Sequence, residues 1–218
     1  MHLQRALEME HGPRAIIATN RGLPRLASLH KDFASLARAK GCDFIAFSPE
    51  AEPARLEREL ERLTGGRGCD DIVVVAPNVT VIEQAAPYLA RDGMLVLFAG
   101  VRSGQTASLP LDLVALHGAQ ITGTSGSKLA DQLALVAKIQ AGKATPARAV
   151  AAIGGLKALG EGLAAVIEQR YPGKVVIFPQ LLDLPLTSLT ELETILPELS
   201  GQSWTPQVEQ ALFEHYLK

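Results

Sequence analysis

Four short runs in this chain are apolar on both faces, and helical patterns separate them. Ala15-Ile16-Ile17-Ala18-Thr19, Phe44-Ile45-Ala46-Phe47, Asp71-Ile72-Val73-Val74-Val75-Ala76 and Gly93-Met94-Leu95-Val96-Leu97-Phe98-Ala99-Gly100 read as strands. A strand that is apolar on both faces belongs inside a parallel sheet covered by helices on either side. Parallel neighbours need a crossover between them, and the intervening helical stretches supply it.

The helical stretches carry their own punctuation. Pro24 suits a first turn, Leu26, Leu29, Phe33 and Leu36 follow at helical spacing, and Gly41 marks the end. Glu52 to Leu63 reads as a charged surface helix, and Thr80 to Ala90 as a helix that Pro87 kinks or ends early. Gln120 to Thr124 reads as an edge strand. The fold class is α/β, a Rossmann-like doubly wound parallel sheet. After Gly126 the pattern changes. Ser127 to Gln140 is amphipathic through Leu129, Leu133 and Val136, while Leu156, Leu159, Leu163 and Ile167 mark a further helix whose leucines call for a partner surface. Gly173-Lys174-Val175-Val176-Ile177 reads as a short strand. Beyond Pro179 the chain is rich in Leu and Pro, with weak helices near 188–196 and 206–217, the last capped by Thr205-Pro206. The expected domains are 1–126, a nucleotide-binding sheet domain; 127–178, a returning segment; and 179–218, an extension.

Residues 1–10 read as a helix leading into Ala15–Thr19, which is the second half of a strand–helix–strand unit. The expectation is therefore an N-terminally truncated sheet domain, whose glycine-rich phosphate turn would precede Met1.

Composition narrows the function classes. The 218 residues carry 21 Lys and Arg against 23 Asp and Glu, with no basic stripe, so nucleic acid is not an expected partner. No apolar run approaches the ~18 residues of a membrane span. Cys42 and Cys69 stand alone, which fits a reducing cytoplasm and offers no metal knuckle. The five histidines have no partner at metal-ligand spacing, and neither an HExxH nor a GxSxG motif occurs.

Candidate binding residues cluster at strand ends, because ligands of doubly wound sheets bind beyond the carboxyl ends of the strands. Asn20, Arg21 and Arg25 follow the first strand, where an acid favours NAD and an arginine without an acid favours the 2′-phosphate of NADP. The bland alternative makes Asn20 a turn residue and the arginines solvated. Ala76 and Ala99-Gly100-Val101 end later strands, with small residues that admit a flat ring. Gly123-Thr124-Ser125-Gly126-Ser127 either presents backbone N–H groups to a ligand or caps the next helix through Ser127.

Taken in order, five blocks resemble the zinc-type medium-chain alcohol and polyol dehydrogenases. They are residues 15–21, 63–70, 93–101, 121–126 and 173–177, and the resemblance covers about residues 1–178. It implies NAD(P), leaning to NADP, with Asn20 and Arg21 at the adenosine ribose. Ala76, Ala99, Gly100 and Val101 would lie along the nicotinamide, Thr124 and Gly126 at its carboxamide, and Lys174 at the pyrophosphate. The edge strand near Ile121 would pair across a twofold axis in a homodimer. The family uses a catalytic zinc, but its ligands and proton relay lie in a domain this chain does not show, and no ligands for it occur here. The implied parent reaction is hydride transfer between NAD(P) and an alcohol, polyol, sugar or ketone, with this chain alone inactive. Three alternatives stay open: a non-catalytic binding or dimerisation module, a zinc-independent quinone-reductase-like enzyme, and another Rossmann-type enzyme such as a methyltransferase.

Overall fold

The computed structural model describes residues 2–98, 100–124, 126–197 and 204–217. The chain divides into two compact units, His2–Ala137 and Lys138–Lys218.

The first unit follows the alternation of its sequence. Helix α1 (His2–Glu8) leads to β1 (Ala15–Thr19), α2 (Leu23–Ala39), β2 (Asp43–Phe47), α3 (Arg55–Thr64), β3 (Cys69–Val74) and α4 (Val79–Ala85). Then come β4 (Leu89–Leu97), the short α5 (Asp112–Ala115), β5 (Gln120–Gly123) and α6 (Leu129–Gln140). Strand β1 pairs with β2, and β3-β4-β5 form a second piece of sheet; every pairing is parallel. This is the doubly wound α/β arrangement, with its two halves hydrogen-bonded separately.

Local chemistry explains most element ends. In α2, Pro24 occupies the first turn, and Gly41 follows the last residues at a positive φ of 65°. Helix α3 starts at Arg55 rather than Glu52, because Pro53 and its neighbours form a turn first. Pro87 ends α4, and residues 86–88 continue as a tighter 3-10 turn. Strand β4 starts at Leu89, four residues ahead of the expected Gly93. It gets past the irregularity with Asp92 at φ 56° and a register shift opposite Cys69 and Asp71. Two cores result: Leu95, Ile82, Ala86 and Leu89 on one piece of sheet, and Leu7, Phe33, Ala37 and Cys42 on the other.

The second unit contains β6 (Val150–Gly155), α7 (Leu159–Ile167), β7 (Lys174–Phe178), the two-residue β8 (Thr187–Ser188) and α8 (Pro206–Tyr216). Its sheet has the order β7-β6-β8, parallel then antiparallel. Strand β6 has no counterpart in the sequence expectations, since its alanines and glycines carry little strand signal. A Cβ on Gly155 would run into the Leu181 carbonyl, so glycine is what lets the extension close over β6. Ile153, Leu181, Leu184, Leu192, Trp204, Val208 and Leu212 form the core, which ties the stretch beyond Pro179 into this unit. Thr205 caps α8, accepting from the Val208 N–H at 3.2 Å.

Helix α7 packs through Gly162 and Ala165, not through its leucines. Leu156, Leu159, Leu163 and Ile167 are exposed, as are Leu129, Leu133 and Val136 of α6. Among the described residues no helix is long and apolar enough to cross a membrane.

Candidate functional site

The carboxyl ends of the parallel strands in the first unit hold most of the candidate residues. At the end of β1 the chain turns on Asn20. Its backbone N–H donates to the Phe47 carbonyl at 3.3 Å, holding the ends of β1 and β2 together. Its Oδ1 accepts from the Gly22 N–H at 2.8 Å, which closes a turn and sets the start of α2. The turn reading of Asn20 is thus satisfied.

Arg21 points into solvent with its Nε 3.9 Å from Glu50 Oε1, the two side chains being 80% and 68% exposed. An ion pair in that setting contributes little, so the guanidinium stays available to an incoming anion. Arg25 is exposed in the first turn of α2. Sequence reasoning passed over Ser48 and Glu50, which follow β2 at the same carboxyl edge. Ser48 is buried and accepts from the Ala51 N–H at 3.4 Å. The available signal was their position after a parallel strand, next to the Asn20 turn.

The other piece of sheet ends in a crest of three neighbouring strands. Phe98 N–H donates to the Val74 carbonyl at 2.9 Å, and Thr124 N–H to the Leu97 carbonyl at 3.2 Å. These bonds carry the alignment of β3, β4 and β5 one residue past their ends, to Phe98 and Thr124. Asn78 N–H bonds the Ala76 carbonyl at 2.8 Å, and Asn78 Oδ1 caps α4 by accepting from Thr80 N–H at 2.9 Å. Gly100 is exposed with open space where a Cβ would stand. Val101 packs against the Leu95 core and anchors the loop that Gly100 opens. Ala99 lies outside the described residues.

Thr124 Oγ1 donates to the Gly126 carbonyl at 3.3 Å, and Gly126 sits at φ 81°, a conformation glycine tolerates without strain. Ser127 is not the cap of α6. Its Oγ accepts from Gln132, and Asp131 reaches back to the Lys128 N–H at 2.9 Å. The His2 ring stands edge-on to Phe98 at 4.5 Å, beside this crest, and partial burial holds its pKa below the ordinary histidine value.

Lys174 belongs to the other unit, exposed at the first position of β7 opposite Val150. Ala76, Gly100, Val101, Thr124 and Gly126 thus follow the ends of β3, β4 and β5, and Asn20, Arg21 and Arg25 follow the end of β1. Among the described residues no three His, Cys, Asp or Glu side chains converge as a metal site. Those residues do not fit a catalytic zinc, which needs three convergent protein ligands.

No protein-family model matches the chain. The L-sorbose 1-phosphate reductase of Klebsiella pneumoniae is 33% identical over 221 residues, covering 96% of this chain and 50% of that protein. The mannitol-1-phosphate 5-dehydrogenase of Aliivibrio fischeri is 29% identical over 221 residues, covering 94% of this chain and 51% of its own length. The chain therefore spans about half the length of the curated relatives it matches. Among solved structures, the alcohol dehydrogenase TADH from Thermus sp. ATN1 has a TM-score of 0.59 at 17% identity, covering 77% of this chain and 45% of that one. Benzyl alcohol dehydrogenase from Acinetobacter calcoaceticus has a TM-score of 0.55 at 19% identity, covering 72% and 41%.

Proposed function

We propose, for a chain related to the zinc-type medium-chain alcohol and polyol dehydrogenases, that its strand-end crest is the dinucleotide-binding part of an NAD(P)-dependent oxidoreductase. The reaction class is hydride transfer between the cofactor and an alcohol, polyol or ketone, with sugar phosphates favoured by the names of the two curated relatives. The observation that carries this reading is the pair of bonds, Phe98 N–H to the Val74 carbonyl and Thr124 N–H to the Leu97 carbonyl, that joins the carboxyl ends of β3, β4 and β5. Such a crest offers small residues and backbone groups to a flat ring, as doubly wound sheets do.

Each residue has a part in this reading. Ala76, Gly100 and Val101 leave room along the nicotinamide, and Thr124 and Gly126 face its carboxamide. Arg21 and Arg25, with no acid at position 20, favour a 2′-phosphate on the adenosine ribose, hence NADP over NAD. The bound nicotinamide would supply the hydride chemistry, while the chain orients it. The substrate, and pairing of β5 with its copy in a homodimer, belong to the same proposal.

NADPH titrated into the full chain, followed by saturation transfer to its adenine and nicotinamide protons, tests the reading. Signals on both rings are expected, stronger for NADPH than for NADH. Arg21→Ala should weaken NADPH binding about tenfold, the scale of one lost hydrogen bond to a charged group, and leave NADH unchanged. Absence of transfer to either ring would overturn the proposal.

A further inference from the structure

Arg102 is the only lysine or arginine between Asp92 and Ser127, and no acid falls in residues 93–111. It comes shortly after β4, past Gly100 and Val101, where the bonds of Phe98 and Thr124 extend the carboxyl edge of the sheet. It is exposed and makes no ion pair among the described residues. An unpaired surface arginine is ordinary by itself. This one stands on a backbone that is fixed on both sides.

The Arg102 N–H donates to Gln105 Oε1 at 3.2 Å, and the Gln105 N–H donates to the Arg102 carbonyl at 3.3 Å. Gly104, at φ 85°, lets that turn close. Val101 before the turn and Leu109 after it pack against the same Leu95 core. Glu83 of α4 accepts from the Ser108 N–H at 2.7 Å and clamps the far end. The loop thus leaves the core at Val101 and returns at Leu109, with Arg102, Ser103, Gln105 and Thr106 exposed between. A loop held in place before a ligand arrives pays less ordering entropy when it binds.

Charge is distributed unevenly along these strands. Asp70, Asp71 and Asp92 lie toward the amino ends of β3 and β4, and no acid lies toward their carboxyl ends. Glu83 and Asp131, in the helices that follow β3 and β5, are each bonded to a backbone N–H, of Ser108 and Lys128. An anion arriving past the carboxyl ends therefore meets Arg102 with little opposing charge from the strands themselves.

We propose that Arg102 receives the phosphate of a phosphorylated sugar or polyol, and so selects the phosphate ester over the free sugar alcohol. This rests on the dinucleotide-binding reading above, in which the nicotinamide lies past the same strand ends. A guanidinium fork matches two phosphate oxygens at once, and Ser103 and Thr106 add hydroxyl donors in the same loop. Arg21 and Arg25 follow β1 instead, so substrate and cofactor phosphates fall to different arginines.

Saturation transfer to D-glucitol 6-phosphate tests this on the full chain, with D-glucitol as the unphosphorylated control. The phosphorylated probe should bind more tightly than the control. Arg102→Gln should weaken its binding about tenfold, the scale of one lost hydrogen bond to a charged group, and leave D-glucitol unchanged. Arg102→Lys should recover part of the loss, since an ammonium keeps the charge but not the fork. NADPH transfer should be the same in all three chains. Equal binding of the two probes, full binding of the phosphorylated probe by Arg102→Gln, or an equal loss with Arg21→Ala overturns the proposal alone when NADPH transfer is intact. Absent NADPH transfer in the unaltered chain overturns the dinucleotide reading, and the proposal with it.

Discussion

Cys42 and Cys69 were excluded as metal ligands by their spacing, and the structure adds a physical description of each thiol. Burial pushes both pKa values up, and the neighbouring carboxylates of Asp43 and Asp70 push the same way. A raised thiol pKa lowers the thiolate fraction at a given pH, and the thiolate is what reacts. At pH 8 both thiols should therefore react with Ellman's reagent more slowly than a free thiol, with rates that climb above the ordinary thiol range. Denaturation should release two fast-reacting thiols, and fast modification of the native chain at neutral pH would contradict this account. Single positions were readable where local bonding decides the outcome. Asn20 as a turn residue, Gly41 past the end of α2, Pro87 ending α4 and Thr205 capping α8 each depend on a neighbour a few residues away. The cap reading of Ser127 fails because a competing side chain, Asp131, reaches back from within the helix to the Lys128 N–H, and a sequence alone does not rank the two.

Elements were readable in proportion to their apolar pattern. Strand β1 matches the predicted span because its both-face apolar run has clear turn signals on either side. Strand β6 escaped notice because Ala152, Gly154 and Gly155 are buried by what packs over them, not by their own hydrophobicity. Helix α7 shows the reverse: its leucines suggested an inward face, yet Gly162 and Ala165 are what fit against the sheet. Open edges are a property of elements too. Among the described residues β5 pairs only with β4, and an unpaired edge invites a second chain. Sedimentation of the purified chain is expected to give a species of twice the 23.2 kDa chain mass. A single 23.2 kDa species across the micromolar range would remove β5 pairing from the proposal.

At the scale of the molecule, the two units have separate cores and separate probes. Trp204, the only tryptophan in the chain, packs on Phe178 in the second unit with ring centroids 5.8 Å apart. Leu95 is fully buried in the first. Leu95→Ala should cost about 2–5 kcal/mol of stability in that first core. Its unfolding followed by far-UV circular dichroism should shift accordingly, while the tryptophan emission transition holds its midpoint. Equal shifts of both signals would show that the units unfold as one. The leucines of α6 and α7 stand exposed, and no reading of periodicity shows whether an apolar stripe is covered.

The two residues of β8 leave a consequence for the life of the chain. Thr187 and Ser188 occupy the flank of β6 that β7 does not, backed by Leu181 and Leu184. They work as a stopper: if proteolysis cut the chain near Pro179, a bare ribbon of alanine, isoleucine and glycine would face its neighbours. Sticky, fibre-like deposits would be a more natural end for that remnant than a smaller working protein.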